Sequence, residues 1–337
     1  MCSQILNKSD VTNNYCALNL SHSPLFYQSE IPHSILMITQ ALQNLYKNAY
    51  LLLALTALFW AGNFVMGRGV NEIVPPIALS FWRWLFAALI MLSFSQRHIR
   101  TDWPVIKKNI PKLLLLGFLS GACFNALTYV GLHYTTATNA LVLNATIAIT
   151  IVIANFLMFA IKLDRVQSLA LIISLIGVLV IISAGDISNL LALRFNSGDL
   201  LIFIAVVGWA IYTALLPTRP KMHWMSFTSA IFVSAALMLA PAALIEYLYF
   251  TKLEINLPSF AAIGYATIFP GLLAYIFYNR GVELVGGNKA GIAIYLMPLF
   301  GTLLSILFLG EIPELFHLIG FAMIIGGVVM SSLANSN

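Results

Sequence analysis

Apolar runs of about twenty residues recur along the chain from residue 49 onward, and a helix of that length crosses roughly 30 Å of hydrocarbon. Bounded by charged residues, proline or glycine, the runs predict ten spans, near 49–67, 75–94, 112–132, 138–160, 167–184, 199–217, 226–248, 260–280, 288–309 and 315–334. Only 9% of the 337 residues are charged, compared with about 25% in soluble domains. The sequence therefore predicts an all-α polytopic membrane protein and excludes a soluble fold.

The lysine and arginine residues of the connections are distributed unevenly between the two sides of the membrane. With the N-terminus inside, the inner connections hold Arg97, Arg100, Lys107, Lys108, Lys112, Lys162, Arg165, Arg219, Lys221, Arg280 and Lys289. The outer connections hold Arg68, Arg194 and Lys252. Because basic residues near span ends tend to remain in the cytoplasm, both termini are predicted to be cytoplasmic. This placement beside anionic lipid explains the net charge of +5, so no nucleic-acid partner is predicted.

The two halves of the chain resemble one another when the sequence is shifted by 150 residues, which places Gly177 on Gly327. Each half holds five predicted spans, at 49–184 and 199–334. Because five is odd, the second half crosses the membrane in the opposite sense, and the halves are predicted to be inverted repeats. Such repeats are typical of secondary transporters, in which two similar halves expose a central site alternately to each side. Duplication as a simple way to build a large bundle is the alternative.

Polar and aromatic residues lie inside the predicted spans, many at related positions in the two halves. They are Trp60, Asn63, Asn125, Tyr129, Asn144, Trp209, Tyr212, Tyr275, Asn279 and Tyr295. Asn125 and Tyr129, one helical turn apart, correspond to Tyr275 and Asn279, the same residue types in reverse order. Because polar groups in lipid are costly unless paired or wetted, we predict that the set lines a substrate-binding cavity for a small amphipathic metabolite. Packing between helices is the alternative for each single residue.

Arg83 is a permanent cation within the apolar stretch "PPIALSFWRWLFAALIMLSF" that begins at Pro75. At about 1.5 Å per residue it lies roughly 12 Å into the second span, so its side chain must face protein or water. Two interpretations remain. It either meets a carboxylate or phosphate of the substrate, or bonds to a neighbouring helix as a structural group, and the second is favoured.

Small residues and one proline mark places where spans come close or bend. Gly117 and Gly121 in the third span, and Ala322 and Gly326 in the tenth, are spaced for close helix contacts. Pro298, halfway along the ninth span, removes one backbone hydrogen bond and predicts a kink that suits a gate. A kink that serves packing alone is the alternative.

Signatures of catalysis or metal binding are missing from the sequence. It contains no HExxH or GxSxG motif, and Cys2, Cys16 and Cys123 suggest neither a disulfide framework nor a metal site. The acidic residues fall in loops, in the tail or near span ends, so no midplane carboxylate is present for a proton relay. These features predict a transporter without a cofactor that works by facilitated diffusion or exchange. An intramembrane enzyme and a passive channel are the alternatives from other classes.

Three stretches, "LTALFWAGNFVMGRGV", "FWRWLFAALIML" and "MPLFGTLLSILFLGEIPELFHLIGFAMIIGGVVM", resemble the drug/metabolite transporter superfamily, in particular its EamA-type ten-helix members. The resemblance covers about residues 49–334. It implies a central cavity lined mainly by spans one, three, four, six, eight and nine, with the second span peripheral. It also implies a plasma-membrane or inner-membrane transporter of small metabolites, most simply amino acids or related compounds. A multidrug or nucleotide-sugar carrier is the alternative within the superfamily.

Two features depart from the pattern of the superfamily. The first half has Ala148, and "AIK" at 160–162, where the second half has Pro298 and Gly-Glu, so its gate is expected to be less bent. The tail, 1–48, is longer than usual and is predicted to be cytoplasmic. Within it "EIPHSILMITQALQNLYKNAY" has the pattern of an interfacial helix that leads into the first span. A cleaved signal peptide is not expected. The oligomeric state stays open, a homodimer included.

Overall fold

The computed structural model describes residues 45–70, 73–132, 134–135, 137–194, 196–309 and 314–334. Within these ranges all regular structure is helical, and no strand occurs. Most of the predicted interfacial helix of the tail lies outside the described residues. Eight described helices are long and apolar enough to cross a membrane, and Ala49–Asn63 forms a shorter apolar helix. The chain is a polytopic helical membrane protein, as its apolar runs predict.

The first half contains five spans, two of which are interrupted. They are span 1, Ala49–Val70; span 2, Pro76–Lys108; span 3, Ile110–Gly117, a π-helical turn Phe118–Cys123, and Phe124–Leu132; span 4, Ala137–Ala145 and Ile147–Phe159; and span 5, Arg165–Ile182. Span 2 continues from residue 94 to Lys108 through a stretch predicted as a connection. Its 33 residues reach about 50 Å, more than the roughly 30 Å of hydrocarbon, so its C-terminal part extends into the aqueous phase.

The second half repeats this arrangement. Its helices are span 6, Ser197–Leu215 with a 3₁₀ turn Leu216–Thr218; span 7, Trp224–Tyr249; span 8, Leu257–Ala266, a π-helical turn Thr267–Leu273, and the start of Ala274–Ala293; span 9, the end of Ala274–Ala293 and then Leu296–Leu309; and span 10, Leu315–Leu333. Gly286, with φ 81° and ψ 162°, separates span 8 from span 9, because only glycine adopts such angles without strain.

The irregularities of the helices recur, to within two residues, at the shift of 150 residues that relates the two halves. The π-helical turn Phe118–Cys123 of span 3 corresponds to Thr267–Leu273 of span 8. The interruption at Thr146 in span 4 corresponds to the one at Ile294 and Tyr295 in span 9. Because local breaks repeat as well as span lengths, the two five-span halves share one fold, and their odd number of spans makes them inverted repeats.

Contacts between spans follow the same symmetry. Span 2 packs against span 7 and span 5 against span 10, while span 1 contacts spans 8 and 9 and span 6 contacts spans 3 and 4. Exchanging the two halves maps this set of contacts onto itself. Spans 1 and 6 therefore hold equivalent places, each packed against the third and fourth spans of the other half.

Glycines set the closest approaches between spans. A Cβ on Gly117 or Gly121 would lie 2.4 Å from a side chain of span 7, which confirms the close contact predicted for span 3. The prediction for span 10 is wrong by one residue: nothing lies within 4 Å of a Cβ on Gly326, whereas one on Gly327 would lie 2.7 Å from the Ala170 carbonyl of span 5. One residue turns a helix by about 100°, so span 5 meets the face that carries Gly327.

Polar groups, carboxylates among them, join the spans at both ends of the bundle. We call "basic end" the one at which span 2 meets span 3, span 6 meets span 7 and span 8 meets span 9, and "opposite end" the other. At the basic end the Asp102 carboxylate of span 2 accepts from the His223 amide at 2.9 Å. Burial and the stacked His98 ring lower the pKa of the His223 imidazole, which favours the neutral ring. The Nδ1 atom of His223 accepts from the Met225 amide and so caps the first turn of span 7.

Carboxylates join the spans at the opposite end. Glu246 of span 7 accepts from the amides of Ile77 and Ala78, in the first turn of span 2, at 3.1 and 2.6 Å. A carboxylate there also interacts favourably with the helix dipole. Asp199 of span 6 accepts from Thr135 Oγ1 at 2.6 Å and from Asn139 Nδ2 at 3.1 Å. The acidic residues nearest the membrane at this end therefore serve to cap and join helices.

Candidate substrate site

A cluster of aromatic rings occupies the middle of the bundle. The Trp60 ring of span 1 lies 5.1 Å from the Trp209 ring of span 6, and 6.1 and 5.2 Å from the Tyr275 and Tyr278 rings of span 8. Trp209 in turn lies 5.6 Å from Tyr275, at an interplanar angle of 88°. Edge-on pairs of this kind are favourable arrangements of aromatic rings. We call these four residues the central aromatic cluster; it brings together the two tryptophans that the internal repeat relates.

The two π-helical turns accept hydrogen bonds from side chains of the cluster. The Pro270 carbonyl of span 8 accepts from Trp60 Nε1 at 3.2 Å. The Ser120 carbonyl of span 3 accepts from Tyr275 Oη at 2.5 Å. Positions 120 and 270 are equivalent under the shift of 150 residues. Because π-helical turns loosen the regular backbone ladder and often occur at functional sites, these carbonyls tie the cluster to the two least regular helices of the core.

A hydrogen-bonded pair of asparagine and tyrosine flanks the cluster on each side. Toward the opposite end, Asn63 Nδ2 of span 1 donates to Tyr129 Oη of span 3 at 3.3 Å. Toward the basic end, Tyr212 Oη of span 6 donates to Asn279 Oδ1 of span 8 at 2.6 Å. Shifts of 149 and 150 residues carry the first pair onto the second, with the residue types exchanged. Each pair joins the first and third spans of its own half.

The pair near the basic end is more firmly closed than its counterpart. Tyr212 and Asn279 are buried, at 0% and 4% exposure. On the basic-end side of this pair, Glu283 Oε2 of span 8 forms ion pairs with Arg219 Nη2 at 3.2 Å and with Arg280 Nη1 at 3.1 Å. Asn63 and Tyr129 are only partly buried. The pair between spans 6 and 8 is therefore enclosed at the basic end, whereas the pair between spans 1 and 3 is partly exposed.

A cavity of about 530 Å³ lies at the basic end, and the ion pair of Arg219 with Glu283 forms part of its wall. Arg219, Met222, Val282 and Gly286 are among the residues that line it. Its volume is in the range of ligand pockets. It lies between the connection of spans 6 and 7 and the end of span 8, however, and none of the predicted binding residues lines it. We therefore assign the candidate site to the central aromatic cluster and its two flanking pairs.

Eight of the ten predicted residues lie in or beside the central aromatic cluster and its two flanking pairs, and two do not. Asn144 donates to the Ala140 carbonyl of its own helix at 2.9 Å. Tyr295 is buried in a separate apolar cluster with Ile324 and Val328 of span 10. Tyr278 belongs to the central aromatic cluster but was not predicted. Its position, one helical turn after Tyr275, is the signal that could have found it.

The predicted kink of span 9 lies just before Pro298. The Ile294 carbonyl, four residues earlier, accepts from the Met297 amide at 2.9 Å, since proline has no N–H to offer. Span 4 is interrupted as well, at Thr146, although it has Ala148 where span 9 has Pro298. Span 4 is thus interrupted without a proline, and the expectation that the gate of the first half is less bent stays a prediction.

Arg83 reaches the candidate site from span 2. Its Nη1 donates to Asn125 Oδ1 at 3.1 Å, and its Nη2 donates to the Pro270 carbonyl at 3.3 Å. That carbonyl is the one that Trp60 also binds. Span 2 packs mainly against span 7 and also contacts spans 3 and 8, and the head of Arg83 lies beside the central aromatic cluster.

Ten spans in two inverted halves, with paired polar and aromatic groups between them, define a membrane transport protein. Two copies of the EamA-like transporter family domain match residues 47–183 and 196–333, and the chain belongs to this family. It is similar to the uncharacterized transporter YyaM of Bacillus subtilis, with 28% identity over 290 residues that cover 85% of this chain and 93% of the relative. An uncharacterized transporter of Archaeoglobus fulgidus is 27% identical over 296 residues, which cover 85% of this chain and 98% of the relative.

A solved structure shares the fold. A crystal structure of a protein with 17% sequence identity superposes with a TM-score of 0.70 and covers 85% of this chain and 96% of its own. At that identity the likeness concerns the fold alone. Together with the apolar helices, the comparisons establish an integral membrane protein and a transporter.

Proposed function

We propose that the protein is a secondary carrier that moves a small amphipathic metabolite, an amino acid or a related compound, by alternating access. One observation carries the proposal: the symmetry-related pairs Asn63–Tyr129 and Tyr212–Asn279 lie on the two sides of the central aromatic cluster. Inverted halves that exchange conformations would open one pair while they close the other. The unequal closure of the two pairs fits a conformation sealed at the basic end.

Exchange or facilitated diffusion is the mode of transport that we propose. The described residues of the central aromatic cluster and the two pairs include no carboxylate, so a proton relay through them has no carrier group. Purified protein in liposomes loaded with candidate metabolites tests the proposal. A carrier gives saturable uptake that internal substrate accelerates. Uptake that rises linearly with concentration and ignores internal substrate would indicate a channel instead.

The proposed location is the inner or plasma membrane, with both termini in the cytoplasm. The concentration of lysine and arginine at the basic end supports this orientation. A reporter fused after Lys112 is expected to report the cytoplasm, and one fused after Gly185 the exterior. The reverse pattern would contradict the orientation, and equal signals from both fusions would contradict the number of spans between them.

A further inference from the structure

Arg83 is enclosed at the centre of the protein. Its side chain is almost completely buried, with 2% of the residue exposed, and its guanidinium lies 4.9 Å from the centre of the Trp84 ring. Asn125 Oδ1 and the Pro270 carbonyl accept from Nη1 and Nη2. The buried Nε–H has no hydrogen-bond partner. The head of this side chain is therefore held in place by Nη1 and Nη2, and its Nε–H is left without an acceptor.

The charge of Arg83 is not balanced. Both hydrogen-bond acceptors are neutral, and within the described part of the chain no carboxylate forms an ion pair with it. The ion-paired arginines of the described residues, Arg219 and Arg280, share Glu283 at the basic end. A guanidinium remains charged at any physiological pH, and a buried charge without a counter-charge is costly. A binding partner with a negative charge would relieve that cost.

The position of the guanidinium decides what that partner can be. Arg83 Nη2 and Trp60 Nε1 donate to the same carbonyl, that of Pro270, so the cation borders the central aromatic cluster. We propose that Arg83 binds an anionic group of the transported molecule, a carboxylate or a phosphate, and that organic cations are excluded. This inference rests on the proposed carrier function. The anion takes the Nε–H and an N–H of Nη2, which lie on the same edge of the guanidinium, while the rest of the molecule contacts the aromatic rings.

A panel of matched ligands tests the charge requirement by thermal shift of the purified protein. The panel pairs phenylalanine with phenylalaninamide, glutamine with glutaminamide, and a sugar phosphate with its parent sugar, and it adds tetraphenylphosphonium as an organic cation. Only ligands that carry a carboxylate or a phosphate are expected to stabilise the protein. Whether an amino-acid pair or the sugar-phosphate pair responds shows which of these two groups is bound. Stabilisation by the cation, or equal stabilisation by both members of every responding pair, would overturn the proposal, as would no response from any acid.

Substitutions then separate binding from structure. Arg83→Gln is expected to lower the affinity for the acid that responds in the thermal-shift panel about tenfold to a hundredfold. Arg83→Lys is expected to lower it less, because lysine keeps the charge but loses the planar fork of donors. Lys289→Gln is the matched control. Lys289 is also buried, and it donates to the Ala334 carbonyl at 2.7 Å near the C-terminal end of span 10. The control is expected to keep the preference for the acid. Unchanged affinity in both Arg83 variants would overturn the proposal.

A gain of internal charge avoids the risk that Arg83→Gln fails to fold. Asn125→Asp places a carboxylate 3.1 Å from Nη1, where it imitates the anion of the ligand. This variant is expected to have a higher melting temperature without ligand, and its affinity for the acid is expected to be at least about tenfold lower. A higher melting temperature with unchanged affinity would show that Arg83 is structural and overturn the proposal. If the acid binds in an Arg83-dependent way but internal substrate does not accelerate its uptake into liposomes, the carrier function alone is contradicted. If uptake shows accelerated exchange that the Arg83 variants leave unchanged, this inference alone is contradicted.

Discussion

Cross-linking of cysteines placed at Arg219 and Glu283 is expected to stop transport, and cleavage of the cross-linker is expected to restore it. These two side chains form an ion pair at 3.2 Å between the end of span 6 and span 8. They lie on the basic-end side of the Tyr212–Asn279 pair, where spans 6 and 8 must separate for substrate to pass. Both side chains are partly exposed, at 18% and 44%, so a soluble reagent can reach cysteines there.

The controls isolate the effect of the link itself. The background lacks the native cysteines Cys2, Cys16 and Cys123. Each single-cysteine variant, treated with the same short bifunctional thiol reagent, is expected to keep its transport. The uncross-linked double variant is also expected to transport, since ion pairs this exposed contribute only about 0–1 kcal/mol. Full transport by fully cross-linked protein would mean that spans 6 and 8 do not separate.

Trp60→Ala is expected to reduce transport about tenfold to a hundredfold while the protein still inserts into the membrane. The change removes the ring contacts with Trp209 and Tyr278 and the hydrogen bond to the Pro270 carbonyl. Aromatic pairs contribute about 0.5–1.5 kcal/mol each and a hydrogen bond about the same, and each 1.4 kcal/mol corresponds to about tenfold. Uptake into liposomes measures the loss.

Two further variants interpret that result. Trp60→Phe keeps a ring but not the Nε1 donor, and an intermediate loss is expected. Trp103→Ala is the matched control, because Trp103 is 49% exposed in the part of span 2 that extends beyond the membrane. It is expected to transport normally. A Trp60→Ala protein with normal transport would remove the central aromatic cluster from the substrate pathway.

The sequence predicted the spans well where hydropathy alone decides them. The apolar runs located spans 1 and 3 to 10 to within a few residues. The break in span 4 was not predicted, because that span has Ala148 where span 9 has Pro298. Hydropathy could not predict the extension of span 2 to Lys108, because a polar stretch outside the membrane can be a helix without being apolar. It also could not distinguish Gly326 from Gly327, which differ only in the face of span 10 that they occupy.

The sequence predicted the types of residue in the candidate site better than it predicted which individual residues belong to it. Residues at equivalent positions on spans 1, 3, 6 and 8 do meet, because the repeat preserves their helical faces. Tyr295 does not join them, since it lies at the interruption of span 9, where the regular turn on which a face prediction depends is lost. The reach of Arg83 to the Pro270 carbonyl was hidden, because it depends on the path of a long side chain from span 2.

Alternating access of the two inverted halves is the central claim, and paired distances between spin labels test it most directly. One pair of labels is placed at Arg219 and Glu283 at the basic end, and the other at Met66 of span 1 and Tyr134 after span 3 at the opposite end. With the substrate that the liposome assay identifies, the first distance is expected to lengthen in the same fraction of molecules in which the second shortens. Two distances that stay unchanged, or that lengthen together, would contradict the account.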